Sequence, residues 1–182
     1  MSDSDAVGRV VEVHRKPPTP GEHGLPKVRV PSIRITRAGI EGDYNRYRTE
    51  EKHSDPDMAV LLVPLEILAM LEREGWPVRP GDLGENITSS GLANDAFRPE
   101  RKVRIGPVLV RVAKPCTPCD NLYLLPYVGV ARGPAFLRTT LGRRGWYCRV
   151  LEEGVVRSGD AIRFESDAGA KTPIRARTPT PR

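Results

Sequence analysis

The sequence predicts a mainly β fold, an antiparallel barrel or sandwich with a few short helices. From Trp76 onward, short apolar segments recur every roughly 8–12 residues between Gly and Pro, a spacing typical of antiparallel β domains. The 182 residues include 17 Gly and 18 Pro, a share that favours many turns. A chain of this length suffices for one domain with a sizeable core.

Two strands are predicted in the N-terminal part of the chain. In residues 7–15 valines alternate loosely with charged side chains, and a Pro-rich segment ends the strand. Residues 27–36 place β-branched side chains between basic ones. Pro31 lacks a backbone N–H, so it fits this strand only at an edge or a bulge.

A strand and the clearest helix follow. Residues 59–63 form an apolar run of strand length, and Pro64 opens a helix that extends to about residue 74. Three leucines spaced three residues apart share one face of that helix. Gly75 is the expected C-cap of the helix.

The second half of the chain predicts five further strands and one more helix. The strands are expected at residues 85–88, 102–105, 108–113, 146–151 and 161–164. Turns are expected at 105–107 and 153–154, and a short helix at 134–141 should end at Gly142.

The domain organisation follows from composition. We expect a flexible N-terminus at 1–6, one domain at 7–165, and a disordered, basic, Pro-rich tail at 166–182, because apolar periodicity stops after Phe164. Half of the net charge of +6 lies in that tail. No nucleic-acid partner is expected, because no run of Lys and Arg exceeds two residues and aromatic side chains do not interleave with basic ones.

A cytoplasmic location without a membrane partner is the expectation from three features. The longest apolar stretch, residues 58–71, is interrupted by Pro64 and Glu66 and falls short of the about 20 residues a membrane helix needs. The first residues do not resemble a signal peptide. Three cysteines are an odd number for a disulfide framework.

Two cysteines stand close together in a Pro-bounded loop. Cys116 and Cys119 form a C-x-x-C spacing, but no second such pair completes a zinc site, and a thioredoxin-like dithiol would need a βαβ context. One interpretation is a buried, inert pair. The other is a reactive thiolate favoured by Lys114, with Cys116 as a resolving thiol if it faces the same cleft. Cys148 lies in a predicted strand and is expected in the core.

Six blocks of the sequence resemble the MOSC domain in order and spacing. They are GIEGD at 39–43, HSDPDMAV at 53–60, PGDLGENIT at 80–88, PCDNL at 118–122, GRRGWY at 142–147 and VRSGD at 156–160. The resemblance extends over about residues 7–165. This domain occurs at the C-terminus of molybdenum-cofactor sulfurases and as free-standing bacterial proteins. The resemblance implies a β-barrel fold with one reactive cysteine.

The resemblance places the reactive cysteine at Cys119, which has Pro before it and Leu three residues after it. Cys116 has no counterpart in the family. The family's Arg or Gln before the Pro-Cys pair is Thr117 here, and its His-Gly-Gly is His53-Ser54-Asp55. If molybdenum is bound, Cys119 is the implied metal ligand.

The other matching blocks supply candidate cofactor-binding residues. A turn at Asp82 would present Asn86, whose amide both donates and accepts hydrogen bonds. Arg143 and Arg144 offer charge-assisted bonds to a phosphate or a carboxylate, although a solvated turn is equally compatible with this pair.

Two further residues complete the candidate site. His53 either bonds to the site or caps a strand, and Lys114 supplies a cation beside the thiol. We expect Asn86, Lys114 and one of the two arginines to converge with Cys119 on one cleft. Asp43 is more simply interpreted as a turn residue.

Three functions are compatible with this assignment. In the first, the resemblance implies a sulfur carrier: Cys119 takes sulfane sulfur as a persulfide from a pyridoxal-phosphate-dependent cysteine desulfurase and passes it to a metal-sulfur or molybdenum-cofactor acceptor. The second is a molybdenum-cofactor-binding reductase of N-hydroxylated compounds. The third is a non-catalytic adaptor. Metal analysis discriminates between the first two.

Overall fold

A computed structural model describes residues 7–17, 19 and 24–165. The N-terminus predicted to be flexible, 1–6, and the predicted tail, 166–182, lie outside the described residues. Among the helices of the described part, none is both long and apolar enough to cross a bilayer.

The described residues contain eleven strands and two α-helices. The strands are β1 Val7–Arg15, β2 Val28–Val30, β3 Ser32–Thr36, β4 Gly39–Ile40, β5 Val60–Pro64, β6 Ile87–Ser90, β7 Lys102–Ile105, β8 Val108–Pro115, β9 Trp146–Glu152, β10 Gly154–Arg157 and β11 Ala161–Phe164. The helices are α1 Leu65–Arg73 and α2 Gly129–Thr140. Short 3₁₀ turns occupy Pro56–Met58, Asn94–Ala96 and Asp120–Leu124.

Seven strands close into a barrel in the order β11-β7-β8-β9-β5-β6-β1. The circle closes because β1 pairs with β11, with Gly8 opposite Ile162. Neighbouring barrel strands are antiparallel except β5 and β6, which are parallel because α1 lies between them in sequence and returns the chain to the same end. A separate sheet contains β10, β3 and β4. The mainly β barrel expected from the sequence is thus confirmed.

Two apolar clusters hold the fold together. One fills the barrel with the inward-facing side chains of its strands, including Ile105, Val110 and Cys148. The other packs α1, α2 and the cysteine loop on the outside of the barrel, and it includes Leu71 and Cys116. The second cluster fixes the position of the cysteine loop.

Most predicted elements form, with three differences. The strand expected at 27–36 is split at Pro31 into β2 and β3. The second helix starts five residues before the predicted start at Pro134, so Pro lies inside α2 rather than at its first turn. The predicted turn at 153–154 leads into β10, which pairs with β3. Because β3 is remote in sequence, no local pattern could predict this pairing.

Candidate functional site

A pocket of about 400 Å³ opens beside the cysteine loop. Four parts of the chain form its walls. They are the segment at 24–25, the segment at 45–52, the start of β5 with Met58 and Leu61, and the end of β8 with the cysteine loop, residues 114–121. Gly84, Arg144 and Tyr147 complete the lining. The pocket therefore lies where loops meet the outside of the barrel.

Cys119 faces this pocket and is half-buried. Its sulfur accepts a hydrogen bond from Nη1 of Arg144 at 3.2 Å. The same Nη1 donates to the Thr117 carbonyl at 2.9 Å, and Nη2 donates to the Leu83 carbonyl at 3.4 Å. These carbonyls fix the guanidinium plane, so Arg144 presents a held cation to the thiol.

Arg144 carries its charge in a buried position. It is only 5% exposed. Burial by itself lowers the pKa of Arg144, but the neighbouring sulfurs of Cys116 and Cys119 and the hydroxyl of Tyr147 outweigh it, and the pKa is raised. A buried cation beside a sulfur stabilises negative charge on that sulfur.

Lys114 also lines the pocket, and a neighbouring loop holds it. Its Nζ lies 2.8 Å from Oδ2 of Asp55. The hydrogen bond from Lys114 is the largest cause that lowers the pKa of Asp55. His53 and Ser54, directly before Asp55, have φ of 47° and 60°, an uncommon left-handed conformation for residues other than glycine. His53 itself is exposed and outside the lining.

The pocket is lined by four basic side chains, Arg46, Lys52, Lys114 and Arg144. The described lining residues include no acidic side chain. Arg46 pairs with Glu50, as Lys114 does with Asp55, but both carboxylates lie outside the lining. The pocket thus combines a thiol with four cationic side chains, two of which are paired with carboxylates outside the lining.

Asn86 and Asp82 lie outside the pocket lining, and their side chains bond within the protein. Asn86 is buried: its Nδ2 donates to Asp43, and its Oδ1 accepts from the Leu61 N–H. Oδ2 of Asp82 accepts from the hydroxyl of Tyr127.

Arg143 also points away from the cysteine, since it forms an ion pair with Glu74 at 2.6 Å. The predicted convergence thus holds for Cys119, Lys114 and Arg144 and not for Asn86. Sequence reasoning missed Arg46 and Lys52. They lie between two of the matching blocks, in a segment without a motif of its own.

Cys116 lies behind the pocket rather than in it. It is 2% exposed, and burial raises the pKa of its thiol. Cys116 packs in the apolar cluster outside the barrel and does not belong to the pocket lining. The condition for a resolving thiol is therefore not met. Cys148 is buried in the barrel core, as expected.

The family of the chain follows from a comparison with known domains. The family model of the MOSC domain matches residues 49–163, which include the cysteine loop and Arg144. The chain belongs to the MOSC domain family. The matched part also contains Arg144, Lys114 and Lys52, so most of the cationic lining belongs to the MOSC domain itself.

Two curated relatives resemble this MOSC domain. The chain is 31% identical to YflK of Bacillus subtilis over 129 residues and 32% identical to YiiM of Escherichia coli over 136 residues. These matches cover 70% and 71% of the chain, but 56% and 57% of the relatives. The chain thus spans little more than half the length of these relatives.

Solved structures share the MOSC architecture. YiiM from Geobacillus stearothermophilus superposes with a TM-score of 0.66 at 26% identity, over 87% of this chain and 75% of that one. YuaD from Bacillus subtilis superposes with a TM-score of 0.66 over 86% of this chain and 94% of that one. At 17% identity, the YuaD match shows the fold alone.

Proposed function

We propose that this MOSC domain binds an anionic molybdenum cofactor in the pocket, with the Cys119 thiolate as metal ligand, and acts as an oxidoreductase. One observation carries the proposal: a half-buried thiol and four basic side chains line the same cavity. A carrier of a single sulfur atom would use Arg144 beside the thiol, but it needs no cavity of this size lined by further basic side chains. The pocket therefore favours the cofactor over the sulfur carrier.

The residues present fit such a group. A soft thiolate suits a metal in a sulfur-rich environment, and basic side chains suit the phosphate of a pterin cofactor. A volume of about 400 Å³ is within the range of small-molecule sites. Within the described part of the chain, no three His, Cys, Asp or Glu side chains gather as a metal site requires. Any metal at Cys119 would therefore take its other ligands from the cofactor.

Several lining residues have a defined task in this proposal. Arg144 orients the sulfur of Cys119 and balances its negative charge. Lys114 and Lys52 pair with the anionic part of the cofactor, while Met58 and Leu61 exclude water from its ring. The bound cofactor supplies two-electron transfer at the metal. The resemblance to MOSC reductases suggests N-hydroxylated compounds as substrates.

A sulfur carrier is the second candidate, because Cys119 is partly accessible from the pocket. In that reaction the Cys119 thiolate attacks the outer sulfur of a persulfide on a pyridoxal-phosphate-dependent desulfurase. A new S–S bond forms on Cys119, the donor's S–S bond breaks, and the donor cysteine leaves as a thiolate. Arg144 would stabilise the persulfide anion on Cys119.

Metal content and persulfide trapping decide between these candidates. The chain is purified from a host that makes molybdenum cofactor, and molybdenum and pterin are measured in wild type, Cys119→Ser and the control Cys116→Ser. The cofactor proposal expects molybdenum and pterin in wild type and in Cys116→Ser. It expects neither molybdenum nor pterin in Cys119→Ser, because an alcohol is a poor ligand for a soft metal.

The same three proteins are then incubated with a cysteine desulfurase and cysteine, and persulfides are trapped for mass spectrometry. A persulfide on Cys119 without molybdenum would replace the cofactor proposal by the carrier. Neither metal nor persulfide in any protein would contradict both and leave the adaptor.

A further inference from the structure

We propose that Asp43 is a positioning residue: together with Lys27 and Asn86 it holds the pocket wall that carries Arg46, and so sets how strongly the pocket attracts anions. The inference builds on the proposed anion-binding role of the pocket. None of the three side chains belongs to the lining.

Asp43 is the centre of a buried polar cluster. Its Oδ1 accepts a hydrogen bond from the Lys16 N–H at 2.7 Å. Its Oδ2 accepts from Nδ2 of Asn86 at 2.9 Å and forms an ion pair with Nζ of Lys27. The side chains of Lys27 and Asp43 are 2% and 7% exposed. The sequence interpretation of Asp43 as a turn residue therefore missed a buried carboxylate with three partners.

The Asp43–Lys27 pair joins two segments of the pocket wall. Lys27 follows the wall segment at 24–25 by two residues, and Asp43 precedes the wall segment at 45–47 by two residues. The two segments also touch: a Cβ on Gly24 would lie 3.0 Å from the Tyr44 carbonyl oxygen and 3.5 Å from the Arg46 nitrogen. The ion pair thus fastens two contacting loops at their bases.

Asn86 connects the same carboxylate to the third wall. The Asn86 N–H donates to the Leu61 carbonyl at 2.8 Å, and its Oδ1 accepts from the Leu61 N–H at 3.1 Å. Leu61 lines the pocket. One carboxylate therefore links both loops and the adjoining strand, and Asn86 contributes to the site without touching a ligand.

Loss of the carboxylate should loosen this wall. Burial lowers the pKa of Lys27, and Asp43 opposes that effect. An uncompensated charge in this position is strongly unfavourable, so the loops would move apart to hydrate it. Arg46 and its neighbours would move with them, away from the pocket.

The test uses Cys119 as a reporter of the local potential. Wild type, Asp43→Asn, Asn86→Ser and the barrel-core control Ile162→Val are allowed to react at low salt with dianionic dithiobis-nitrobenzoate and with neutral dithiodipyridine. Both reagents undergo the same thiol–disulfide exchange. For each protein, the rate constant with the dianionic reagent is divided by the rate constant with the neutral one. The same ratio for mercaptoethanol, a thiol without a protein around it, is the reference. Thiol reactivity affects both rate constants, so the ratio reports the attraction of the pocket for anions.

We expect the wild-type ratio to exceed that of mercaptoethanol by roughly threefold or more, because clustered cations raise the local concentration of anions. Asp43→Asn and Asn86→Ser should each lower it by about twofold or more, and Ile162→Val should preserve it. By charge alone, removal of the Asp43 carboxylate would raise the ratio and Asn86→Ser would leave it unchanged, so a lower ratio reports movement of the wall. A purely structural role would lower the melting temperature without lowering the ratio. Asn86→Ser provides the result if Asp43→Asn does not fold.

The outcomes separate the two proposals. An elevated wild-type ratio that both cluster variants retain overturns the positioning role and leaves the anion-binding pocket intact. A wild-type ratio equal to that of mercaptoethanol overturns both. A lower ratio in the cluster variants than in wild type supports the positioning role even if no molybdenum is found, because the assay needs no cofactor.

Discussion

Nη1 of Arg144 lies 3.2 Å from the sulfur of Cys119, although 25 residues separate them in sequence. Strand pairing brings them together. β8 ends at Pro115, four residues before Cys119, and β9 begins at Trp146, two residues after Arg144. Pro115 is opposite Trp146 in the sheet. The barrel itself thus aligns the thiol with its cation.

This contact should control the reactivity of Cys119. Arg144→Gln keeps amide donors for the carbonyls but removes the charge beside the sulfur. We expect alkylation of Cys119 by iodoacetamide at neutral pH to slow severalfold, because Arg144 holds a positive charge beside the attacking sulfur. The control Arg143→Gln removes a cation that pairs with Glu74 and should keep the wild-type rate. Equal rates in all three proteins would show that the guanidinium does not act on the sulfur.

The three cysteines should differ in their accessibility to a thiol reagent. Burial raises the pKa of Cys116, and it raises that of Cys148 to about 12. A raised thiol pKa means less thiolate at a given pH, so both should stay unlabelled at pH of about 8 in the folded protein. Mass spectrometry after native alkylation should find the label on Cys119, and unfolding in urea should expose the other two. Native labelling of Cys116 would contradict its position behind the pocket.

A glycine next to Arg144 should be essential for the fold. Gly145 has φ of 76°, and a Cβ there would collide with the Leu62 carbonyl oxygen. We expect Gly145→Ala to lower the free energy of unfolding by about 2–4 kcal/mol, because strain and a backbone clash add. Gly142 has a similar φ of 72° with open space around it, so Gly142→Ala should cost only about 1–2 kcal/mol. Urea denaturation measures both, and equal costs would exclude the clash.

Glu85 should make the fold less stable as pH rises. It is fully buried, and burial raises its pKa, while Oε2 has no hydrogen-bond partner among the described residues. The folded state therefore binds the proton more tightly than the unfolded chain, and stability is lost as pH rises above the ordinary glutamate pKa of about 4.3. Glu85→Gln removes this loss.

The melting temperature of Glu85→Gln, relative to wild type, should consequently increase between pH of about 5 and 8. Glu72 is exposed, and the control Glu72→Gln should show no such trend. A constant difference for Glu85→Gln across this range would show that the buried carboxyl does not titrate with folding.

Local sequence patterns predicted much of the barrel because each strand carries its own apolar alternation and turn signals. Lys102–Ile105 and Ala161–Phe164 form as expected. Patterns could not predict β10, whose partner β3 is remote in sequence, nor the parallel pairing of β5 with β6. Both depend on how the whole chain closes.

The candidate site was predictable where a motif and a strand end coincide, as at Cys119 and Arg144. Asn86 illustrates the limit, since an amide that donates and accepts serves a buried network as well as it serves a ligand. Arg46 and Lys52 reach the pocket only through the packing of loops. The residue type alone does not distinguish a side chain that lines the pocket from one that bonds within the protein.

Closure of the barrel by β1 and β11 has a consequence for the order of folding. Val7 pairs with Arg163, so the ring cannot be completed until nearly the whole domain has been synthesised. Before that moment both strands present unpaired edges, which are prone to associate with other chains. Contacts between residues so distant in sequence also make folding slow. During translation the domain should therefore be most prone to associate with other chains in the interval before β11 emerges from the ribosome.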